Sequence, residues 1–343
     1  MRVLVVDDAR MMRRVISDVI KDAGHEVVGE ASNGAEALLA AKRVKPDLIT
    51  LDIEMPGMSG LEALEALMQT NPTKVLLVSS LTTAGADVTL EGLALGAIDF
   101  VSKPSSLTGI DGFAAQLSHT LSAVEHARVP MARRTSPTGI RRPPTPERRS
   151  AKIRRPSMIV VASSTGGPDA LNRFFGAFRA APPAPVLVVQ HMPPEFTGRL
   201  ANRLDSTVSF PVSEAVDQER VQPGKVLIAP GDHHLGYGSG RVKLLDTPPI
   251  GRLRPAADVT LKAVADEIGA RTLVVVMSGM GRDGTEGAAA VMHAGGQIIA
   301  QEGSTCAVDG MPRSAREAGL VTMSAKPEEL AGIIESSAAR GAA

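Results

Sequence analysis

The sequence contains no tryptophan, one tyrosine and one cysteine, and aromatic residues make up only 2% of its 343 residues. Scarce aromatics argue against a single-stranded nucleic-acid binder, because such proteins stack bases on aromatic rings. The lone Cys306 excludes an internal disulfide and the usual cysteine-rich zinc sites. The sequence therefore favours a fold held together by packed apolar side chains.

Net charge and long apolar runs are also missing. Lys and Arg total 37, as do Asp and Glu, so no overall field attracts nucleic acid or an anionic membrane. No apolar run approaches the roughly 20 residues that span a bilayer, and the N-terminus MRVLVVDD does not resemble a signal peptide. We expect a cytoplasmic protein that inserts into no membrane and binds no nucleic acid.

The length and one unusual segment predict two domains. Single cores rarely grow past about 250–300 residues, and residues 123–156 are crowded with Arg and Pro and poor in apolar side chains. Such a segment buries too little surface to offset its ordering entropy. We predict domains at 1–122 and 157–343 joined by this linker. Its Arg clusters leave open an alternative role in binding acidic partners or nucleic acid.

The first 120 residues alternate buried strands with helical patterns, which predicts a parallel sheet covered by helices on both faces. One helix is expected from about Gly34 to Val44. The predicted strands are Val3–Val6, 26–31, Asp47–Asp52, Lys74–Ser80 and Ala97–Pro104.

Chemically active side chains lie at the carboxyl ends of four of these strands. They are Asp7, Asp8, Asp52, Ser79 and Lys103. Ligands of an open parallel sheet bind at the carboxyl ends of its strands. Clustered carboxylates favour a hard cation such as Mg²⁺, Asp52 is a candidate nucleophile toward a phosphoryl group, and Ser79 and Lys103 are candidates for holding its oxygens. Taken singly, each residue is also explained as a solvated turn residue.

This pattern resembles the receiver domain of two-component response regulators over residues 1–120. The resemblance is carried by Asp7-Asp8, LDIEMPGMSG around Asp52, Ser79 and Lys103-Pro104. It implies phosphorylation of Asp52 by a partner histidine kinase, Mg²⁺ bound by Asp7, Asp8 and Asp52, and an aromatic switch at Phe100. Ser59 stands where the motif usually has Asp, and Ala9-Arg10 follow the acidic pair where Ser is common.

A second alternating pattern begins at Ser157, with strands predicted at Met158–Ser163, Pro185–Gln190, Lys225–Pro230, Thr272–Met277 and 297–301, and a helix at about Asp169–Phe178. Ser164, His191 and Asp283 each follow a strong strand. A Ser whose proton is taken by a His, itself oriented by an acid, is a nucleophile. The Gly-Gly turn after Ser164 offers N–H groups for an oxyanion. VASSTGG is not the G-x-S-x-G elbow of α/β-hydrolases.

Other interpretations of these residues remain open. Ser164 and Asp283 are also explained as helix caps, and His191 as a turn residue. His233 and His234 are possible metal ligands without an evident third ligand. Gly279, Gly281 and Gly284 spell G-x-G-x-x-G between a strand and a helix, which is the form of a dinucleotide fingerprint and would indicate an oxidoreductase.

Residues 157–340 resemble the catalytic domain of the CheB family of chemotaxis protein-glutamate methylesterases. ASSTGGP, QHMPPEFTGRLANRLD, KVLIAPGDHHL and MSGMGRDGTEGA carry the resemblance. It implies Ser164 as nucleophile, His191 as general base and Asp283 as orienting acid, with Thr165 and Met280 lining the site. Ala162-Ser163 precede the nucleophile where the family usually has Gly-Ala, and the resemblance favours Ser164 over Ser163.

The resemblance also implies the fold and the pathway. The expected fold is a flavodoxin-like receiver domain followed by a doubly wound α/β methylesterase domain. The expected substrates are γ-glutamyl methyl esters and specific Gln side chains of methyl-accepting chemoreceptors. The phosphodonor would be a CheA-type kinase, the esterase would need no cofactor, and the protein would be recruited to receptor clusters. We expect phosphorylation of Asp52 to free a site that the receiver covers. A receiver-linked DNA-binding regulator is a further alternative.

Overall fold

The computed structural model describes residues 1–80, 82–104, 109–128 and 153–339. Most of the predicted linker lies outside these residues, so the boundaries at 122 and 157 stay predictions. Within the described part of the chain, no helix has both the length and the apolar character needed to cross a membrane.

The N-terminal half is a five-stranded parallel sheet with strand order β2-β1-β3-β4-β5, which confirms the flavodoxin-like prediction. The strands are β1 Arg2–Val6, β2 Glu26–Ala31, β3 Leu48–Asp52, β4 Lys74–Ser79 and β5 Asp99–Ser102. The helices are α1 Arg10–Asp22, α2 Gly34–Val44, α3 Gly60–Thr70, α4 Thr83–Leu95 and α5 Ile110–Glu125. The strand order reverses between β1 and β3, and a ligand crevice opens at such a reversal.

The bounds of β5 and the N-cap of α3 each have a local physical explanation. Strand β5 begins two residues later than predicted, after Gly96, which with φ of +114° ends α4 in the left-handed region. It ends at Ser102, two residues before Pro104, which has no N–H to donate to the sheet. Ser59 forms a capping box with Glu62 at the start of α3. Ser and Asp are both good N-cap residues, so the departure from the receiver motif at Ser59 preserves the helix start.

The C-terminal half is a seven-stranded parallel sheet with order β14-β13-β12-β6-β7-β9-β8. Its strands are β6 Met158–Ser163, β7 Val186–Gln190, β8 Val212–Glu214, β9 Val226–Ile228, β12 Thr272–Val276, β13 Gln297–Gln301 and β14 Met323–Ala325. The strands β10 His234–Gly238 and β11 Arg241–Leu245 form a separate antiparallel hairpin. The helices are α6 Gly167–Phe175, α7 Pro194–Thr207, α8 Ala257–Ile268, α9 Thr285–His293, α10 Gly310–Glu317 and α11 Pro327–Ala339.

Helix α6 begins two residues earlier and ends three residues earlier than predicted. Gly166 takes the left-handed conformation, with φ of +72°, and Pro168 lies in the first turn, where a missing N–H costs nothing. Gly176 follows the last helical residue. The chain leaves β6 for β7 on one side of the sheet and later returns to β12 on the other. The carboxyl ends of β6 and β12 therefore bound the crevice of this sheet.

Candidate active site

Ser164 lies in a tight turn between β6 and α6. Its N–H donates to the carbonyl of Ser278 at 2.9 Å, and its own carbonyl accepts hydrogen bonds from Gly167 N–H at 2.7 Å and from the Gln190 side chain at 3.0 Å. The turn is thus tied to both neighbouring strands. Its serine is half-buried at the crevice.

The adjacent Ser163 occupies a different environment. It is fully buried, and its hydroxyl donates to Gln190 Oε1 at 2.7 Å. Gln190 in turn holds the carbonyl of Ser164. Ser163 is therefore a structural link under the turn, and of the two serines only Ser164 has solvent exposure.

His191 and Asp283 form a close pair beside this turn. His191 Nε2 lies 2.7 Å from Asp283 Oδ2, and His191 N–H donates to the carbonyl of Ser163 at 3.1 Å. Because Ser163 pairs with Gln190 across β6 and β7, Ser164 and His191 follow in the same register. Within the described residues no hydrogen bond joins Ser164 to His191. Such bonds often tighten only when substrate is bound.

The carboxylate of Asp283 is held by the start of another helix. It accepts the N–H groups of Ala257 at 2.6 Å and Asp258 at 3.1 Å, the first two residues of α8, and that of Gly284 at 2.9 Å. Although burial opposes ionisation, the hydrogen bond and charge of His191 and these N–H groups hold the pKa of Asp283 below its usual range. The positive end of α8 adds to this effect. Asp283 is therefore an ionised acceptor for His191.

Gly279, the first glycine of G-x-G-x-x-G, packs directly against the turn. A Cβ on it would lie 2.9 Å from Ser164 Cβ and 2.2 Å from Met311 Sδ. Gly281 and Gly284 have φ of +79° and +85°, which a sharp turn into α9 requires. These glycines let the β12 loop approach Ser164. The dinucleotide-binding interpretation is not supported.

Thr165 and Met280 both lie at the receiver domain. Thr165 is buried, and its hydroxyl donates to Asp99 Oδ2 at the start of β5, at 2.5 Å. Met280 is half-buried. Together with Ala307 it packs against a buried apolar cluster, which contains Val308 and side chains of the receiver. The two predicted lining residues are thus contacted or flanked by the receiver.

The three acidic residues predicted to bind Mg²⁺ lie together at the end of the receiver sheet. Oxygens of Asp7, Asp8 and Asp52 lie within 4.8 Å of one another, and Lys103 Nζ lies 2.9 Å from Asp7 and 2.7 Å from Asp52. Burial, and to a lesser extent the charge of Asp7, raises the pKa of Asp52 to about 6 against the opposing effect of Lys103. Three carboxylates and one ammonium leave two negative charges when all are ionised. That balance and the all-oxygen donor set fit Mg²⁺.

Ser79 contacts helix α4 of the receiver, and Phe100 contacts the catalytic half directly. The Ser79 hydroxyl accepts a hydrogen bond from Thr89 at 2.5 Å and lies 3.3 Å from the carbonyl of Gly85, which ties it to α4. The ring of Phe100 is buried, with its centroid 4.3 Å from that of Phe196 in α7. The predicted aromatic switch therefore lies in the domain interface.

The interface extends beyond these rings. Asp87 of α4 pairs with Arg199 of α7, and the N–H of Arg128 donates to the carbonyl of Ala307 at 2.9 Å. Burial raises the pKa of Asp99 to about 6, against the opposing hydrogen bond from Thr165. The receiver thus sits over the turn that carries Ser164.

His233 and His234 do not form a metal site. His233 Nδ1 lies 2.6 Å from Asp246 on the surface, whereas His234 is fully buried and bonded to backbone groups. Among the described residues, the acidic cluster of the receiver alone gathers three potential metal ligands.

Sequence reasoning missed several residues of this site. They are Asp99, Gln190, His234, Ala257 and Asp258. Gln190 ends a predicted strand and was detectable from its place beside His191. The others act through packing between distant segments, and no local pattern identifies them.

Comparisons with known proteins identify the family of each half of the chain. Residues 159–334 match the family model of the CheB methylesterase, and residues 3–111 match that of the response regulator receiver domain. Protein-glutamate methylesterase/protein-glutamine glutaminase of Thermotoga maritima is 44% identical over 325 residues, covering 93% of both chains. The protein of that name from Archaeoglobus fulgidus is 41% identical over 338 residues, covering 95% of both.

A solved structure matches the C-terminal half. The crystal structure of the Thermotoga maritima CheB methylesterase catalytic domain is 44% identical, with a TM-score of 0.51, and the match covers 52% of this chain and 98% of that one. The relatives span both domains in the same order as here. This chain therefore belongs to the CheB methylesterase family, with a response regulator receiver domain ahead of the catalytic domain.

Proposed function

We propose that this chain is a protein-glutamate methylesterase and protein-glutamine glutaminase that acts on methyl-accepting chemoreceptors and is activated by phosphorylation of its receiver. The observation that carries the proposal is the His191–Asp283 pair, joined at 2.7 Å at the strand ends beside Ser164. An ionised acid that orients a histidine next to an accessible serine is the arrangement of a serine hydrolase.

In the first half-reaction, Ser164 Oγ attacks the γ-carbonyl carbon of a glutamyl methyl ester. Because His191 Nε2 is bonded to Asp283, Nδ1 is the nitrogen left to take the serine proton. The charge of Asp283 stabilises the imidazolium that forms. His191 then returns the proton to the departing methoxide, so that methanol leaves and an ester between Ser164 and the substrate remains.

In the second half-reaction, water attacks that ester while His191 accepts its proton. The bond to Ser164 Oγ breaks, the serine regains its proton from His191, and the substrate leaves as a γ-carboxylic acid, which loses its proton to solvent. With a Gln side chain the same first step releases ammonia instead of methanol. Both substrates therefore give Glu through one acyl-enzyme.

The receiver covers Ser164 until Asp52 is phosphorylated. Mg²⁺ held by Asp7, Asp8 and Asp52 would neutralise carboxylate and phosphoryl oxygens during transfer from a histidine kinase of the CheA type. Lys103, 2.7 Å from Asp52, is placed to pair with the added phosphoryl group. Shifting Lys103 and the neighbouring β5 would disturb the contacts of Asp99 and Phe100 with the catalytic half. A bulky receptor helix could then reach Ser164.

The test is methanol release from methylated chemoreceptor in the presence of a small-molecule phosphodonor and Mg²⁺. We expect release by the wild type, none by Ser164→Ala, and most of the wild-type rate by the matched control Ser163→Ala. Wild-type release that survives in Ser164→Ala would overturn the assignment of the nucleophile. No release by the wild type would overturn the proposed activity.

A further inference from the structure

His234 is a buried histidine that takes no part in the proposed chemistry. It is the first residue of β10 and has no solvent exposure. Its Nδ1 accepts the N–H of Ala256 at 3.1 Å, and its Nε2 lies 3.2 Å from the carbonyl of Pro248. Because Nδ1 is an acceptor, the ring proton lies on Nε2 and is donated to Pro248. Both ring nitrogens are used, so the ring is fixed between two loops.

The Ala256 N–H that donates to His234 lies immediately before the two N–H groups of α8 that donate to Asp283. Ala256 occupies the N-cap position of α8, where its methyl side chain cannot cap the helix. The next two N–H groups, of Ala257 and Asp258, both donate to the Asp283 carboxylate. The imidazole therefore anchors the backbone on which the orienting acid depends.

A second bond ties the same helix to the same strand. The hydroxyl of Thr260 in α8 donates to the carbonyl of Leu235 in β10 at 2.6 Å, and both Thr260 and His234 are fully buried. Successive residues of β10 thus hold α8 at Ala256 and at Thr260. This attachment fixes the direction in which the first turn of α8 presents its N–H groups.

We propose that His234 is a positioning residue of the esterase, which holds the N-terminus of α8 and thereby orients Asp283 and His191. The inference rests on the proposed function, since it assigns His234 a part in that reaction. Among the described residues, no hydrogen bond joins His234 to Ser164 or His191. Its removal should therefore lower kcat through misorientation of the His191–Asp283 pair and leave KM for receptor unchanged.

Two substitutions distinguish the hydrogen-bonding role of His234 from a role in packing alone. In His234→Asn, the amide oxygen stands one bond from Cγ, as Nδ1 does, and can still accept the N–H of Ala256. In His234→Gln, the amide group reaches the place of Nε2 and the acceptor for Ala256 is lost. The neighbouring His233→Asn is the control, because the side chain of His233 is 41% exposed and is bonded to Asp246 at the surface.

The experiment uses the full chain with phosphodonor and Mg²⁺. It measures kcat and KM for methanol release, the rate at which a fluorophosphonate labels Ser164, and the Tm of each variant. We expect kcat and labelling of His234→Gln to fall about 10- to 100-fold with KM unchanged. We expect His234→Asn to recover most of the loss and His233→Asn to match the wild type.

If His234→Gln does not fold, Thr260→Val tests the same attachment with a side chain of equal shape, and the same fall in kcat and labelling is expected. Equal rates for the wild type and His234→Gln, or equal losses in His234→Asn and His234→Gln, would overturn the inference while the esterase assignment stands. A wild type that neither releases methanol nor labels would overturn the proposed function itself, and the inference with it.

Discussion

Thr165, the residue after the candidate nucleophile, donates a hydrogen bond of 2.5 Å to Asp99 at the start of the last receiver strand. Asp99 is followed by Phe100, and Lys103 of the acidic cluster lies three residues further on. A single short segment therefore joins the phosphorylation chemistry to the active-site turn.

Replacing Asp99 with Ala should raise methanol release in the absence of phosphodonor. The substitution removes the acceptor for Thr165 and weakens the docked state without touching Ser164. Losing one hydrogen bond to a charged group costs roughly 1.5–3 kcal/mol, so the undocked fraction should rise about tenfold or more. The control is Asp22→Ala, an exposed receiver acid on α1. Unchanged basal release in Asp99→Ala would contradict the role of this contact.

Asp99 should also make stability depend on pH. Its pKa is raised from 3.8 to about 6, chiefly by burial, so the folded state holds this proton more tightly than the unfolded state does. Stability from this group is therefore greatest below pH 4 and falls as pH rises from about 4 to 6, with no further change above.

The comparison of wild type with Asp99→Asn isolates that effect, because the amide does not titrate. We expect the unfolding free energy of the variant relative to wild type to increase by on the order of 1–3 kcal/mol between pH 4 and pH 6.5. Denaturant unfolding at several pH values measures it. A difference that stays constant with pH would show that Asp99 is not buried in this way.

Removing the aromatic contact between the domains should raise basal methanol release more than removing the ion pair. Phe100 is buried against Phe196, whereas Asp87, paired with Arg199, has a side chain 62% exposed. Exposed pairs contribute only about 0–1 kcal/mol, so Asp87→Ala should raise basal release at most about fivefold. Phe100→Ala, which removes buried apolar surface, should raise it more. Basal methanol release without phosphodonor measures both, and the reverse order would contradict this ranking.

Asp283→Asn should abolish most of the activity while the fold survives. The carboxylate accepts three backbone N–H groups and His191, and an amide must turn its NH₂ group toward some of these donors. It also removes the charge that stabilises protonated His191. We expect kcat to fall roughly 10³- to 10⁴-fold, as loss of the acid does in other serine hydrolases. Thermal unfolding of the variant controls for folding, and a loss below tenfold would exclude Asp283 as the orienting acid.

The sequence is sufficient to predict both sheets and the strand ends at which the candidate site residues lie. Each candidate follows a strand rich in Val, Ile and Leu, and parallel strands bring their carboxyl ends to one edge. The pairing of His191 with Asp283 across 92 residues followed from this rule together with the family resemblance. The sequence also allows Asp283 to be a helix cap. It does accept helix N–H groups, but chiefly those of α8, which precedes it in the chain, because α8 packs against α9 in the folded domain.

The sequence pattern does not predict contacts between segments that are distant in the chain. Nothing local to Asp99 shows that it meets Thr165, since that depends on how two finished domains pack. The sequence pattern does not predict the β10–β11 hairpin, because HLGYG and RVKLL contain glycines or charged residues in place of a continuous apolar run, and the hairpin lies outside the parallel sheet. The role of His234 depends on that hairpin, and its neighbour His233 has the same sequence context but lies on the surface. Burial, which the sequence does not specify, separates the two.

The measurement that tests the account most directly is methanol release by the wild type and Asp52→Asn, each with and without phosphodonor and Mg²⁺. If the receiver covers Ser164 until Asp52 is phosphorylated, phosphodonor should raise release by the wild type and leave the low rate of Asp52→Asn unchanged. Equal rates of release by phosphorylated and unphosphorylated wild type would contradict the gate.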